Sequence, residues 1–180
     1  MFTYNMGAQI GKLSVCHHNL LSSEVIMHIA ARWVWSSLDF ELLVDKKVMN
    51  LFDKCKQGRD MNECGGQLFV DISRPDGIII IDASAPHHKD IATPTSLILN
   101  PERCREEVRA FNRNSLLLAG YWHTHSEEDP QLSHQDLKSF YKFRKDNQNV
   151  LPFPLVVIVG QEKINVWSMR EQPIAGRIAS

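Results

Sequence analysis

No two cysteines form a CxxC pair, no run of lysine and arginine stands out, and no apolar stretch reaches the length of a membrane span. Cys16, Cys55, Cys64 and Cys104 stand singly. At this chain length such sparse cysteines argue against a disulfide framework and predict free thiols in a reducing compartment. Lysines and arginines number 20 against 21 acids, a formal net charge of -1. An electrostatically driven nucleic-acid binder would carry a basic excess or stripe, so no nucleic-acid partner is expected. The longest apolar-rich stretch, LPFPLVVIVG, falls short of the roughly 20 residues a membrane helix needs and holds two prolines. The N-terminal MFTYNMGAQIGKLSVCHHNLL lacks the charged start, continuous apolar region and small-residue cleavage site of a signal peptide. The expectation is a soluble cytoplasmic protein without membrane association.

What is present fits one core. The 180 residues, 43% of them apolar, suffice for one globular domain and fall short of two. Residues 1 to 32 show weak periodicity and are set apart as an N-terminal extension, ahead of a domain over 33 to 180. Met27 offers an alternative start, and LSSEVIMHIAARWVW suggests a short helix capped by Ser22 or Ser23. Beyond it DFELLVD reads as a strand, and KKVMNLFDKCKQGR as a helix with Val48, Leu51 and Phe52 on one face, stopping near Gly58. GGQLFVDI and GIIIIDASA read as strands joined by the turn signal SRPDG, and TSLILN as a further strand. PERCREEVRAFNRN is a helix with proline in its first turn, acids early and Arg109 and Arg113 late, as the helix dipole prefers. LLLAGYWHTH is a strand, SHQDLKSFYKFRKDN a helix, and LPFPLVVIVG with KINVWSMR a closing pair of strands. Strands and helices mix without strict alternation. The fold class expected is therefore α+β, or a three-layer α/β/α arrangement, around a mixed central sheet flanked by helices.

The segment GYWHTHSEEDPQLSHQD, residues 120 to 136, carries the chemistry. On a strand, residues two apart share a face, so His123 and His125 can converge on one ion while Thr124 points away. The polar, proline-containing SEEDPQL is a loop, Ser133 suits a helix N-cap, and Asp136 then falls in the first helical turn facing the strand end. Two imidazoles and one carboxylate make the open ligand set of a catalytic zinc, with a fourth position for water. A hydrolase of this kind needs a general base, and Glu63, just ahead of Gly65-Gly66, is the best candidate. The two glycines would let backbone or substrate approach closely. Taken singly, each element has a plainer reading: HxH as strand packing, Ser133 and Asp136 as a helix cap, Glu63 as an exposed acid.

Together, Glu63 before Gly65-Gly66, then His123-Thr124-His125, then Ser133-x-x-Asp136 resembles the signature of the JAMM (MPN-plus, or JAB) metalloproteases. The serine lies ten residues and the aspartate thirteen after the first histidine, which is the family spacing. The resemblance runs over about residues 38 to 170 and implies a single cytidine-deaminase-like JAB/MPN domain holding one Zn2+. By that resemblance His123, His125 and Asp136 are metal ligands, and Glu63 is the base that later delivers its proton to the leaving amine. Ser133 would hydrogen-bond the oxyanion of the tetrahedral intermediate. The implied reaction is hydrolysis of an amide or isopeptide bond after the tail of a ubiquitin-like modifier. The segments WHTHSEEDPQLSHQD and NECGGQLF are also similar to the short bacterial JAB proteases of CBASS anti-phage operons. The partner implied is a cGAS-like nucleotidyltransferase conjugated by an E1-E2 fusion enzyme. Other outcomes left open are a JAB hydrolase acting on a sulfur-carrier protein, a hydrolase of small amides, and a non-catalytic MPN-type scaffold.

One position departs from the family pattern: Ser126 stands where proline usually follows the second histidine. The adjacent pairs His17-His18 and His87-His88 are not expected to bind metal, because neighbours on an extended chain face opposite ways. His134 is expected on an exposed first turn, the run Glu127-Glu128-Asp129 as a solvated loop, and Cys64 as a structural thiol. Phe140, Tyr141 and Phe143 are expected to pack in the core. The substrate tail is expected to lie extended along a strand edge.

Overall fold

Runs such as Leu-Phe-Val, Ile-Ile-Ile-Ile and Leu-Val-Val-Ile-Val are too apolar to sit at a surface, and they build the middle of one large mixed sheet. The computed structural model describes residues 28–38, 41–71, 77–147, 154–169 and 172–179. In chain order the strands are β1 (Ile29–Val34), β2 (Glu41–Asp45), β3 (Gly65–Asp71), β4 (Gly77–Ala83), β5 (Ile91–Thr93), β6 (Ser96–Ile98), β7 (Leu117–Thr124), β8 (Leu155–Val159), β9 (Ile164–Met169), β10 (Pro173–Ala175) and β11 (Arg177–Ile178). The helices are α1 (Lys46–Cys55), α2 (Pro101–Asn112) and α3 (His134–Asn147).

Nine strands form the main sheet in the order β10-β9-β8-β7-β3-β4-β2-β1-β11, and β5 pairs with β6 in a separate hairpin. β2 runs parallel to β4, and β7 parallel to β8; the other pairings are antiparallel. Side chains alternate across β3. Leu68 and Val70 pack with Val48 and Phe52 of α1 and with Trp122, whereas Phe69 packs with Phe140 and Phe143 of α3 and Phe111 of α2. Helices therefore cover apolar faces of a mixed sheet, which agrees with the α+β class.

The helix starts follow from their caps. Asp45 accepts from the Lys47 backbone N–H at 2.8 Å, and Asn100 from that of Arg103 at 3.0 Å with Pro101 behind it. α1 ends at Cys55, three residues short of Gly58. Several expectations change. The helix expected over residues 21 to 35 is, in its described part, the strand β1, where Trp33 is buried opposite Leu42 of β2. Tertiary pairing there overrides a weak helical pattern. Ser22, Ser23, Met27, His17-His18 and most of the SRPDG turn lie outside the described residues. TSLILN contributes β6, which joins not the main sheet but a hairpin with β5, a strand too short to register as a pattern. Tyr141 is exposed, while Phe140 and Phe143 are buried as expected.

β7 is an interior strand of the main sheet. It pairs antiparallel with β3, His123 opposite Gly65, and parallel with β8, Gly120 opposite Leu155. A Cβ on Gly120 would sit 1.8 Å from the Leu155 carbonyl oxygen, so the β7–β8 contact requires glycine there. Gly120→Ala is expected to lower stability by about 3 kcal/mol or more, as overpacking against backbone cannot relax through a rotamer. Urea denaturation would measure it, and an unchanged midpoint would mean that the two strands part at little cost.

Candidate metal centre

The site begins at the end of β7. His123 is buried within the strand, while His125 lies one residue past its end, its backbone N–H donating to the Val159 carbonyl at 3.0 Å. Both rings turn to one side, Nε2 to Nε2 at 3.1 Å. Thr124 turns the other way and is fully buried. Its Oγ1 accepts from the Cys64 backbone N–H at 2.9 Å and donates to the Gln57 amide oxygen at 3.3 Å.

α3 delivers the third group. Ser133 and Asp136 cap each other: the Ser133 N–H donates to Asp136 Oδ2 at 2.8 Å, and the Asp136 N–H to Ser133 Oγ at 3.1 Å. That exchange turns the buried Asp136 carboxylate toward the strand end. Its Oδ1 lies 3.2 Å from His123 Nε2, and its Oδ2 lies 3.5 Å from His125 Nε2. Bonds of about 2.0–2.1 Å at tetrahedral angles would set donor atoms about 3.3 Å apart. The observed 3.1, 3.2 and 3.5 Å lie near that length, with Oδ1 turned to His123 and Oδ2 to His125. One donor atom from each residue falls within 4.8 Å of the others, close enough to share one ion. His123, His125 and Asp136 form the group among the described residues that could hold a metal. Burial alone would raise the Asp136 pKa, but hydrogen bonds from His123 and His125 outweigh it and hold the carboxyl far below the usual range. Burial works against a proton on His125, yet Asp136, Glu63 and Glu127 together raise its pKa.

Glu63 enters the same cleft from the loop before β3, its backbone N–H tied to the Thr93 carbonyl at 2.9 Å. Its residue exposure is only 8%, and burial raises its pKa against the opposing pull of His123 and His125. Ser133 lines the same cleft, and the β5–β6 turn from Pro94 to Leu97 forms a wall. His123, His125, Asp136, Glu63 and Ser133, the five residues expected from the sequence, all converge here. The Gly65-Gly66 pair admits a close approach, as expected, and what approaches is backbone together with the Leu97 side chain. A Cβ on Gly65 would lie 2.4 Å from Leu97 Cδ2 and 2.5 Å from the Trp122 carbonyl oxygen, and one on Gly66 2.3 Å from that of Ser84. The glycines admit neighbouring protein, and at Gly65 that neighbour is the cleft wall itself.

Other residues singled out in the sequence fall elsewhere. The His87 and His88 rings pack on each other at 4.2 Å between centroids, outside the three-residue group. His134 is exposed on the first turn of α3. Cys64 is half-buried beside Cys55. Burial raises the Cys64 pKa and pushes the Cys55 thiol up to about 11, which suits inert thiols and no nucleophile. The acidic run is exposed but engaged. Glu127 Oε2 is 3.4 Å from His125 Nδ1, and Asp129 accepts from Lys163 at 2.6 Å and from Asn165 at 2.7 Å.

Gln57 was not anticipated. Buried to 1% exposure, it donates to the Met61 carbonyl at 2.7 Å and the Pro94 carbonyl at 2.9 Å, and accepts from Thr124. One amide thus ties together the loop entering Glu63, the cleft wall and the residue between the two histidines. Nothing in KCKQGR marks it, because a polar residue after a helix reads as solvent-facing. Gln57→Leu would strip partners from two part-buried carbonyls and a buried hydroxyl, and an unfolding free energy lower by about 2 kcal/mol is expected. Thermal unfolding would test this, and an unchanged midpoint would mean that water takes over the amide's bonds.

Similarity to known proteins bears on the fold and the family. The solution structure of protein DSY2949 from Desulfitobacterium hafniense superposes with a TM-score of 0.54 at 16% identity, over 74% of this chain and 88% of that one, a likeness of fold. No curated protein matches the chain. The model of the family described as prokaryotic homologs of the JAB domain matches residues 46–172, most of the chain, and the chain belongs to that family.

Proposed function

We propose that this chain is a zinc-dependent isopeptidase that hydrolyses the amide bond after the C-terminus of a ubiquitin-like-conjugated protein. The observation that carries the reading is the cluster of two imidazoles and one carboxylate close enough to share one ion, with a separate buried carboxylate in the same cleft. The wider JAB domain family includes metalloproteases, and this chain keeps the three residues His123, His125 and Asp136 together. The switch of β3 side chains between α1 on one side and α2 with α3 on the other supports a three-layer, cytidine-deaminase-like reading of the fold.

Zinc held by His123, His125 and Asp136 would supply Lewis acidity and bring the pKa of a water in its open position to about 7. Glu63 takes the proton that the attacking water gives up and returns it to the amine that leaves. Its burial suits that exchange, since burial raises its pKa above the ordinary carboxyl value and makes it a better proton acceptor. The Ser133 hydroxyl already accepts from the Asp136 N–H, so its own proton is available to the developing oxyanion. The open cleft beside the β5–β6 turn suits an extended, narrow tail. The substrate class proposed is a cGAS-like nucleotidyltransferase joined to its target by an E1-E2 fusion enzyme in anti-phage defence, acting in the cytoplasm. Cysteines that stand singly along the chain suit such a reducing setting.

Elemental analysis and a cleavage assay on a nucleotidyltransferase tail fusion test this reading. The parent is expected to hold about one zinc per chain, Asp136→Ala to lose it, and Glu63→Gln to retain it with cleavage reduced about 10²–10⁴-fold. A parent that cannot be loaded with zinc would identify a non-catalytic scaffold. A zinc-loaded parent that cleaves small amides or sulfur-carrier fusions but no nucleotidyltransferase fusion would move the substrate class.

A further inference from the structure

The two histidines are not equally supported. His123 is buried inside β7, with β3 and β8 paired on either side, whereas His125 stands past the end of the strand. Its ring faces two ways. Nε2 points at His123 Nε2 and Asp136 Oδ2, at 3.1 and 3.5 Å, and Nδ1 points at Glu127 Oε2 at 3.4 Å. An imidazole that offers Nε2 to an ion carries its proton on Nδ1, and a carboxylate there fixes both tautomer and ring orientation.

The backbone that carries Glu127 is strapped down from outside the motif. The Glu127 carbonyl accepts from the Gln161 N–H at 2.8 Å, and that of Glu128 from the Lys163 N–H at 3.0 Å. Asp129 bridges Lys163 and Asn165, and Asn165 also donates to the Pro130 carbonyl at 2.8 Å. A Cβ on Gly160 would come within 2.6 Å of the Glu127 carbonyl oxygen, so the turn between β8 and β9 sits against this loop only because position 160 is glycine. Proline after the second histidine would stiffen the loop through its own ring. Here Ser126 gives no such restraint, and contacts to the β8–β9 turn supply it.

We propose that Glu127 is a positioning residue of the metal site, its carboxylate accepting the Nδ1 proton of His125 so that Nε2 is presented to the ion. The inference rests on the metal-site reading above and goes beyond it, since no motif position includes Glu127. The Glu127 side chain is 62% exposed, and 3.4 Å is long for an N–H···O bond, so its effect belongs at the lower end of what such partners contribute.

The test is zinc affinity of the metal-free protein, by competition with a chromogenic chelator at fixed neutral pH. Parent, Glu127→Ala, Glu127→Gln and Glu128→Gln are compared. Glu128→Gln removes the same charge from the neighbouring exposed position and leaves His125 Nδ1 alone. Both Glu127 variants are expected to bind zinc about tenfold more weakly, and Glu128→Gln to stay within about twofold of the parent. Imidazole nitrogen shifts give a second readout: the zinc-loaded parent should show His125 protonated on Nδ1, with that signal perturbed in Glu127→Ala and unmoved in Glu128→Gln. Equal losses in the Glu127 and Glu128 variants would reduce the effect to general charge and overturn the proposal. A parent with normal zinc affinity and Glu127→Ala identical to it would overturn the proposal and leave the metal site standing. A parent without zinc affinity would end both.

Discussion

The cleft hangs on how β7 is held. Antiparallel to β3 and parallel to β8, it is locked by register on both sides, and a one-residue slip would turn His123 and His125 to the face that Thr124 now occupies. Gly120 and Gly65 allow the close approaches that set this register, the first against Leu155 and the second against Trp122 and Leu97. Because the strand cannot shift, the last residues of β7 present their side chains at a defined height. α3 then needs only its own cap to bring Asp136 into place.

Polar side chains beneath the cleft carry this order into the loops. Thr124 fixes the start of β3 through the Cys64 N–H and reaches Gln57, whose amide holds the Met61 and Pro94 carbonyls. These bonds are buried or partly buried and costly to break, so the base loop and the cleft wall are tied to the central strand. A second network lies beyond the hairpin. Asp90 accepts from Arg103 and from the Asn100 N–H, both Asp90 and Arg103 side chains being almost fully buried, and so ties the base of the hairpin to α2. Burial would lower the Arg103 pKa, but Asp90 and Glu107 raise it, so this cation is retained in the fold.

The candidate site was legible to an unusual degree because it combines two short-range patterns. Residues two apart on a strand share a face, and Ser133-x-x-Asp136 is a helix start whatever else it does. Those rules act over a few residues, so spacing alone marked His123, His125 and Asp136 as candidate ligands. Glu63 was legible only as one acid beside two glycines; its burial against the histidines depends on strands more than fifty residues apart in sequence coming together. Gln57 and Glu127 left no mark, since an amide after a helix and a carboxylate in a polar loop look like solvent-facing residues until a partner is placed against them.

The elements divide in the same way. Strong caps and long apolar runs let the sequence alone determine α1, α2, α3 and the central strands, because those signals are local and mutually consistent. β1, β5, β10 and β11 are short or weakly patterned and owe their conformation to pairing partners, so only the tertiary structure decided them. The same holds for the chemistry. The sequence by itself determined which side chains could ligate a metal. The register of β7 between β3 and β8, with α3 docked beside it, decided that they meet within reach of one ion, since side-chain convergence is a property of packed elements and not of any one segment.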